Sequence, residues 1–244
     1  LLAARLARHD GDLETMGRFL RRAAAAGANR EQIELEQTLA LARSGNLSES
    51  ESEVNRLILA WPSETPEICS AYCNGLAAAG RIEESLIVID AWEQDFPLDP
   101  RPNFRRGMVF EHQQDFDRAA EQYRSAVSKK KHFFPAWYSL GRVLKVQRQI
   151  DPALEAFKHC LRMKLPHAAE IGIAGCLREK GEIDQARQLL RKVLEAQPAD
   201  IAASFKAVEF LPDGDIAARE LGVIETTDGN FQQARPLLEA ALPD

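Results

Sequence analysis

Little in the chain suits a reaction centre. The five histidines, His9, His112, His132, His159 and His167, are scattered along the sequence. No Gly-rich phosphate loop, no His-Glu-x-x-His and no Cys-x2-Cys occurs, so the usual phosphate, zinc and redox motifs are missing. Cysteine is scarce: Cys69, Cys73, Cys160 and Cys176 are all there is, without the spacing of a secreted disulfide framework. Cys69 and Cys73 would sit one helical turn apart, a poor geometry for a bridge, and no histidine is near enough to complete a metal site. These thiols are expected to be inert core residues, and cysteines without a pairing pattern favour a cytoplasmic setting. No catalytic residue, metal or cofactor is expected, and the chain reads as something other than an enzyme.

Long apolar runs are also lacking. None approaches the roughly 18 residues that cross a bilayer, so no membrane contact is expected within these residues. With 12 Pro and 14 Gly, the chain is too poor in both for a collagen-like or disordered segment, and 45% hydrophobic residues are ample for a core. A net charge of −6 argues against bulk affinity for nucleic acid or an anionic membrane. Strict apolar–polar alternation, the mark of strands, is nowhere sustained. The opening Leu1-Leu2-Ala3-Ala4-Arg5 has no Met and reads as the later half of a helix, so a piece of a longer protein is expected.

What is present is a period of about 34 residues. Counting from Phe134, units begin near Glu31, Pro66, Pro100, Phe134 and His167. The eighth position is mostly small: Thr38, Cys73, Gly107, Gly141, Ala174. The eleventh is large and apolar: Leu41, Leu76, Phe110, Leu144, Leu177. The twentieth is small again, Ser50, Ser85, Ala119, Ala153 and Ala186, and the twenty-fourth is bulky, Val54, Ile89, Tyr123, Phe157 and Leu190. Gly45, Gly80 and Gly181 fall at the fifteenth position, where a helix ends in left-handed backbone. Gln114 and Arg148 take that place in the two middle units, so those turns are expected to close differently. Pro62, Pro97, Pro166 and Pro198 are expected to stop each second helix.

The unit from Phe134 to Pro166 contains Trp137-x2-Leu140-Gly141-x2-Leu144, then Ala153-x3-Phe157 and Pro166. It closely resembles the tetratricopeptide repeat, with Leu144 where Tyr is usual and Trp137 at the family's core aromatic position. The resemblance implies an all-α fold, a right-handed superhelix of stacked helical hairpins. The expected organisation is a truncated repeat at 1–30, repeats at 31–65, 66–99, 100–133, 134–166 and 167–199, an insertion at 200–214 and a degenerate repeat at 215–244. The insertion should carry a short helix from Ile201 to Phe210. In the last repeat Glu225 stands where an apolar residue belongs, and Pro236 should interrupt the final helix.

The resemblance further implies that first helices line a concave groove at their second, fifth, sixth, ninth, twelfth and thirteenth positions. Among the residues at those positions are Asn74, Arg101, Phe104, Arg105, Met108, His112, Tyr138, Arg142, Lys145 and Arg178. An acidic protein thus gathers cations and aromatics on one wall, as expected of a scaffold that binds an acidic peptide or C-terminal carboxylate. A solvated face, with Glu111 and Glu179 pairing these cations, is the alternative. The family's carboxylate clamp for chaperone tails is not reproduced, because Arg105 stands where Asn is wanted and Pro135 and Ser139 replace its basic pair. Lys129-Lys130-Lys131-His132 reads as a solvated turn or an anionic contact at the rim. Two other functions stay open: a regulatory or substrate-presenting domain of a larger enzyme, and self-association.

Overall fold

The computed structural model describes residues 1–9, 11–43, 54, 56–162, 166–207 and 216–240. Gly45 and Ser50, at two of the repeat positions, and Phe210 lie outside these. All regular structure in the described residues is helical, and no strand occurs among them. The chain divides into two compact units, Leu1–Val109 and Phe110–Asp244.

The first unit holds α1 (Leu2–His9), α2 (Leu13–Ala25), α3 (Arg30–Arg43), a helical stretch at 56–60, a 3-10 turn at Pro62–Glu64, α4 (Thr65–Ala78) and α5 (Ile82–Asp95). The helix α6 (Arg101–His112) begins in this unit. Its cores follow the apolar spacing of the helices. Ala4, Ala7, Met16, Leu20 and Ala40 join α1, α2 and α3, while Leu35, Leu39, Ala42, Leu57, Ile68 and Ala71 join α3 to α4. Cys73, Ile89 and Val109 form a third cluster. Asp12 caps α2 by accepting a 2.9 Å hydrogen bond from the Thr15 amide, satisfying one of the donors left over at a helix start.

The second unit runs through α7 (Phe116–Lys129), α8 (Phe134–Val146), α9 (Ile150–Leu161), α10 (Pro166–Glu179), α11 (Ile183–Leu194), α12 (Pro198–Ala207), α13 (Ile216–Thr227) and α14 (Phe231–Ala240). Helices α8 to α11 pack each on the next, then α13 packs on α11 and α14 on α13. Helix α12 stands outside this succession and lies on α10. The small and bulky positions meet within a hairpin, and the bulky one also reaches the next hairpin. A Cβ added to Gly141 on α8 would stand 2.8 Å from the Phe157 ring, and one added to Gly172 on α10 would stand 2.6 Å from it. Phe157 of α9 is therefore wedged between two helix backbones, an approach that only glycine permits.

The middle turns do not close differently from the others. Gln114 and Arg148 hold φ of 61° and 62°, beside 74° and 81° at Gly80 and Gly181. In each case the next residue's amide bonds back five residues along the helix end: Arg81 to Leu76, Asp115 to Phe110, Gln149 to Leu144 and Glu182 to Leu177, at 2.8–2.9 Å. This bonding satisfies the helix's last carbonyls strongly enough to impose left-handed backbone on residues with side chains.

Three other local expectations need correction. Pro198 does not merely stop α11; it opens α12, where its missing amide costs nothing in a first turn. Pro236 lies inside α14, which continues to Ala240 and forgoes one backbone bond. Trp137 is half-exposed, not core. Its ring stacks on His159 with centroids 4.1 Å apart, and its Nε1 donates to the Lys131 carbonyl at 2.9 Å, tying the lysine-rich turn to α8. The four cysteines are buried and unpaired. Burial pushes the thiols of Cys69 and Cys176 up to about 11 and those of Cys73 and Cys160 to about 12, which keeps them protonated and unreactive near neutral pH.

Candidate binding wall on the first helices

In the first unit the first helices are joined by alternating charges. Glu36 on α3 accepts from Arg5 and Arg8 of α1, both at 2.8 Å. Arg8 and Glu36 are almost fully buried, so each supplies the charge that makes the other's desolvation tolerable. Arg8 then reaches Glu67 on α4 at 3.2 Å, and Glu67 lies 3.6 Å from Arg101 on α6. Arg101 is also held by Asp99 at 2.7 Å and lies over the Trp92 ring. Arg105 donates to the Ser70 hydroxyl at 3.1 Å and to the Met108 sulfur at 3.3 Å. Asn74 is half-buried and Met108 exposed.

In the second unit His112 is exposed. Arg142 on α8 pairs with Glu111 at 2.7 Å, and the other oxygen of Glu111 accepts from the Tyr123 hydroxyl at 2.7 Å. Arg178 on α10 and Lys145 on α8 converge on one carboxylate, Glu220 of α13, at 3.0 and 3.6 Å. Lys145 reaches it by crossing the bare backbone of Gly175, in space that a Cβ would fill. Among the described residues Glu220 is the only carboxylate paired with either cation. Glu179 is elsewhere, paired with Arg148.

Two expected site residues are not presented to a ligand. Phe104 is 1% exposed and Tyr138 is 3% exposed. Apolar rings at those positions gain more from the protein interior than from a solvated wall. Tyr138 packs edge-on against Phe157 and against Phe205 of α12, and its burial raises the phenol pKa. The remaining cations have the partners just described, ion pairs for Arg101, Arg142, Lys145 and Arg178 and neutral acceptors for Arg105, so the wall is not a bare basic strip. Sequence reasoning missed Glu220, Ser204 and Phe205. Counted from Asp215, Glu220 occupies a sixth position, one of those expected to line the wall, and that was the available signal.

Another missed group is a buried acidic centre at the C-terminal hairpin. Glu225 is 1% exposed yet accepts from Arg187 at 3.1 Å, Arg191 at 2.9 Å and Asn230 at 2.8 Å. Burial opposes its charge, but the Asn230 hydrogen bond and the two guanidinium groups outweigh this and hold its pKa below the ordinary value. An acid thus fills the eleventh position, joining α11 to α13 by charge where other repeats use apolar contact.

Stacked helical hairpins with small-to-bulky contacts define a protein-interaction scaffold of the α-repeat class. A profile of the tetratricopeptide repeat family matches residues 74–133 and 138–201, and the chain belongs to that family. No curated protein matches the sequence. Among solved structures, YrrB, described as a tetratricopeptide protein with an unusual peptide-binding site, has a TM-score of 0.55 at 19% identity, covering 77% of this chain and 90% of its own. MamA from Desulfovibrio magneticus RS-1 gives 0.53 at 17% identity, covering 71% and 90%. Cut9, from the APC/C hetero-tetramer Cut9–Hcn1, gives 0.59 at 15% identity, and the match covers 96% of this chain but 42% of that one. At these identities the likeness is one of fold.

Proposed function

We propose that the chain is a non-catalytic scaffold that takes an acidic segment of a partner protein, a peptide stretch or a C-terminal carboxylate, on the first-helix wall of its second unit. Arg142, Lys145 and Arg178 are the anchors. In the first unit Asn74, Arg105 and Met108 form the corresponding polar patch, and His112 borders the wall of the second. The observation that carries the reading is the convergence of Lys145 and Arg178 on Glu220. Two cations from successive first helices already hold a carboxylate between them, and one carboxylate leaves one positive charge of the pair uncompensated. Charge-assisted hydrogen bonds of this type contribute roughly 1.5–3 kcal/mol each. Two or three of them, less the cost of ordering the peptide, correspond to roughly micromolar affinity, about −8 kcal/mol. That YrrB is described as binding peptide on the same fold is consistent with this use.

The test is fluorescence anisotropy with a labelled Glu- and Asp-rich peptide. Lys145→Ala with Arg178→Ala should weaken capture at least tenfold while leaving helicity unchanged, about the loss of one charged hydrogen bond. Equal affinity for the double variant and the unaltered chain removes the site.

A further inference from the structure

Helix α12 is the element that the succession of hairpins does not use. Its residues are mostly exposed, and the buried ones are Ser204 and Phe205, with Ile201 half-buried one turn before. Positions 201, 204 and 205 follow the i, i+3, i+4 pattern by which a helix lays one narrow face on a groove. Phe205 is 3% exposed and meets the Tyr138 ring of α8 edge-on, centroids 6.2 Å apart at 81°. The Ser204 hydroxyl accepts a buried 2.9 Å hydrogen bond from the Ala168 amide at the start of α10. Thus α12 touches two first helices on the side where Tyr138 was expected to meet a ligand.

Tyr138, Arg142 and Lys145 stand at i, i+4 and i+7 of α8, on one helix face. At about 1.5 Å per residue, Tyr138 and Lys145 are roughly 10 Å apart along the axis. One end of that face is covered by Phe205 and the other is paired with Glu220. An aromatic ring and a carboxylate from the following stretch of the chain therefore occupy the wall together.

We propose that Phe205 and Glu220 act in cis as a pseudo-ligand, and that a partner segment with an aromatic residue and a carboxylate about 10 Å apart replaces them. This rests on the acidic-segment reading above and adds the aromatic requirement and the competitor. In an extended peptide the spacing is about three residues. Exchange is feasible because α12 is anchored by one narrow face, whereas α8 and α10 are packed on both neighbouring hairpins.

The experiment uses the full chain and a fluorescein-labelled peptide, with one Phe three residues from a Glu pair in a Ser/Gly background. Phe205→Ala should bind it at least tenfold more tightly than the unaltered chain. Replacing the peptide's Phe by Ala should remove that gain. Hydrogen exchange of residues 198–207 in the unaltered chain should quicken when peptide is added. Should Phe205→Ala fail to fold, an oxidised Ala168→Cys/Ser204→Cys pair that pins α12 gives the opposite arm: affinity falls tenfold and returns on reduction. Binding that is the same in all of these, with exchange of 198–207 unaltered, overturns the pseudo-ligand and leaves the cationic site standing. No binding by any form overturns both.

Discussion

Gln114 and Arg148 carry side chains at φ near +60°, where other turns of the array use glycine. Left-handed backbone costs an L-residue about 1–2 kcal/mol, and only part of this is recovered on changing to glycine, because glycine is freer when unfolded. Gln114→Gly should therefore stabilise the chain by about 0.5 kcal/mol, read as a higher urea midpoint at unchanged slope. A lower midpoint would show that the Gln114 side chain matters more than its backbone. The opposite sign is expected at Gly172. A methyl there meets the Phe157 ring wedged between two helices, and Gly172→Ala should cost about 1–3 kcal/mol. Phe157→Leu frees that space, so the double variant should lose at least about 0.5 kcal/mol less than the sum of the two single losses. Simple additivity would mean that the ring is not the obstacle.

At the scale of the elements, Glu225 fastens α13 to α11 by charge. Its folded pKa lies below the 4.5 of an unperturbed carboxyl. Between the two values the unfolded chain binds more protons than the folded one, so stability rises with pH through that window. The contribution is complete above about 4.5 and is lost as pH falls through the folded value. Glu225→Gln should flatten the dependence of unfolding free energy on pH in the acidic window below 4.5. A slope identical to that of the unaltered chain would mean that Glu225 gains nothing from its two arginines. The hairpins themselves were legible before any coordinates, because period, small positions and bulky positions repeat locally and each helix needs only its own residues and its neighbour. The wall was legible only in part. Its cations were visible one repeat at a time, but Arg142 is paired 31 residues away and Arg178 is paired 42 residues away, across an insertion. Charges that meet only after stacking cannot be summed along a single helix. For the same reason Tyr138 read as a ligand contact: Phe205, which covers it, comes from a helix outside the periodic pattern.

For the molecule as a whole, the proposed capture of acidic segments would work against a net charge of −6. Capture then depends on a few local cations with low-dielectric surroundings, not on long-range attraction. Salt should weaken binding by screening the exposed pairs, while the half-buried Lys145 and Arg178 retain part of their effect. The most direct test of the central claim is a nuclear magnetic resonance titration of the labelled chain with an acidic, Phe-containing peptide. Shifted signals should cluster on α8, α10, α12 and α13, including the side chains of Arg142 and Arg178. Shifts confined to the second helices α9 and α11, or spread evenly over the chain, would contradict that claim.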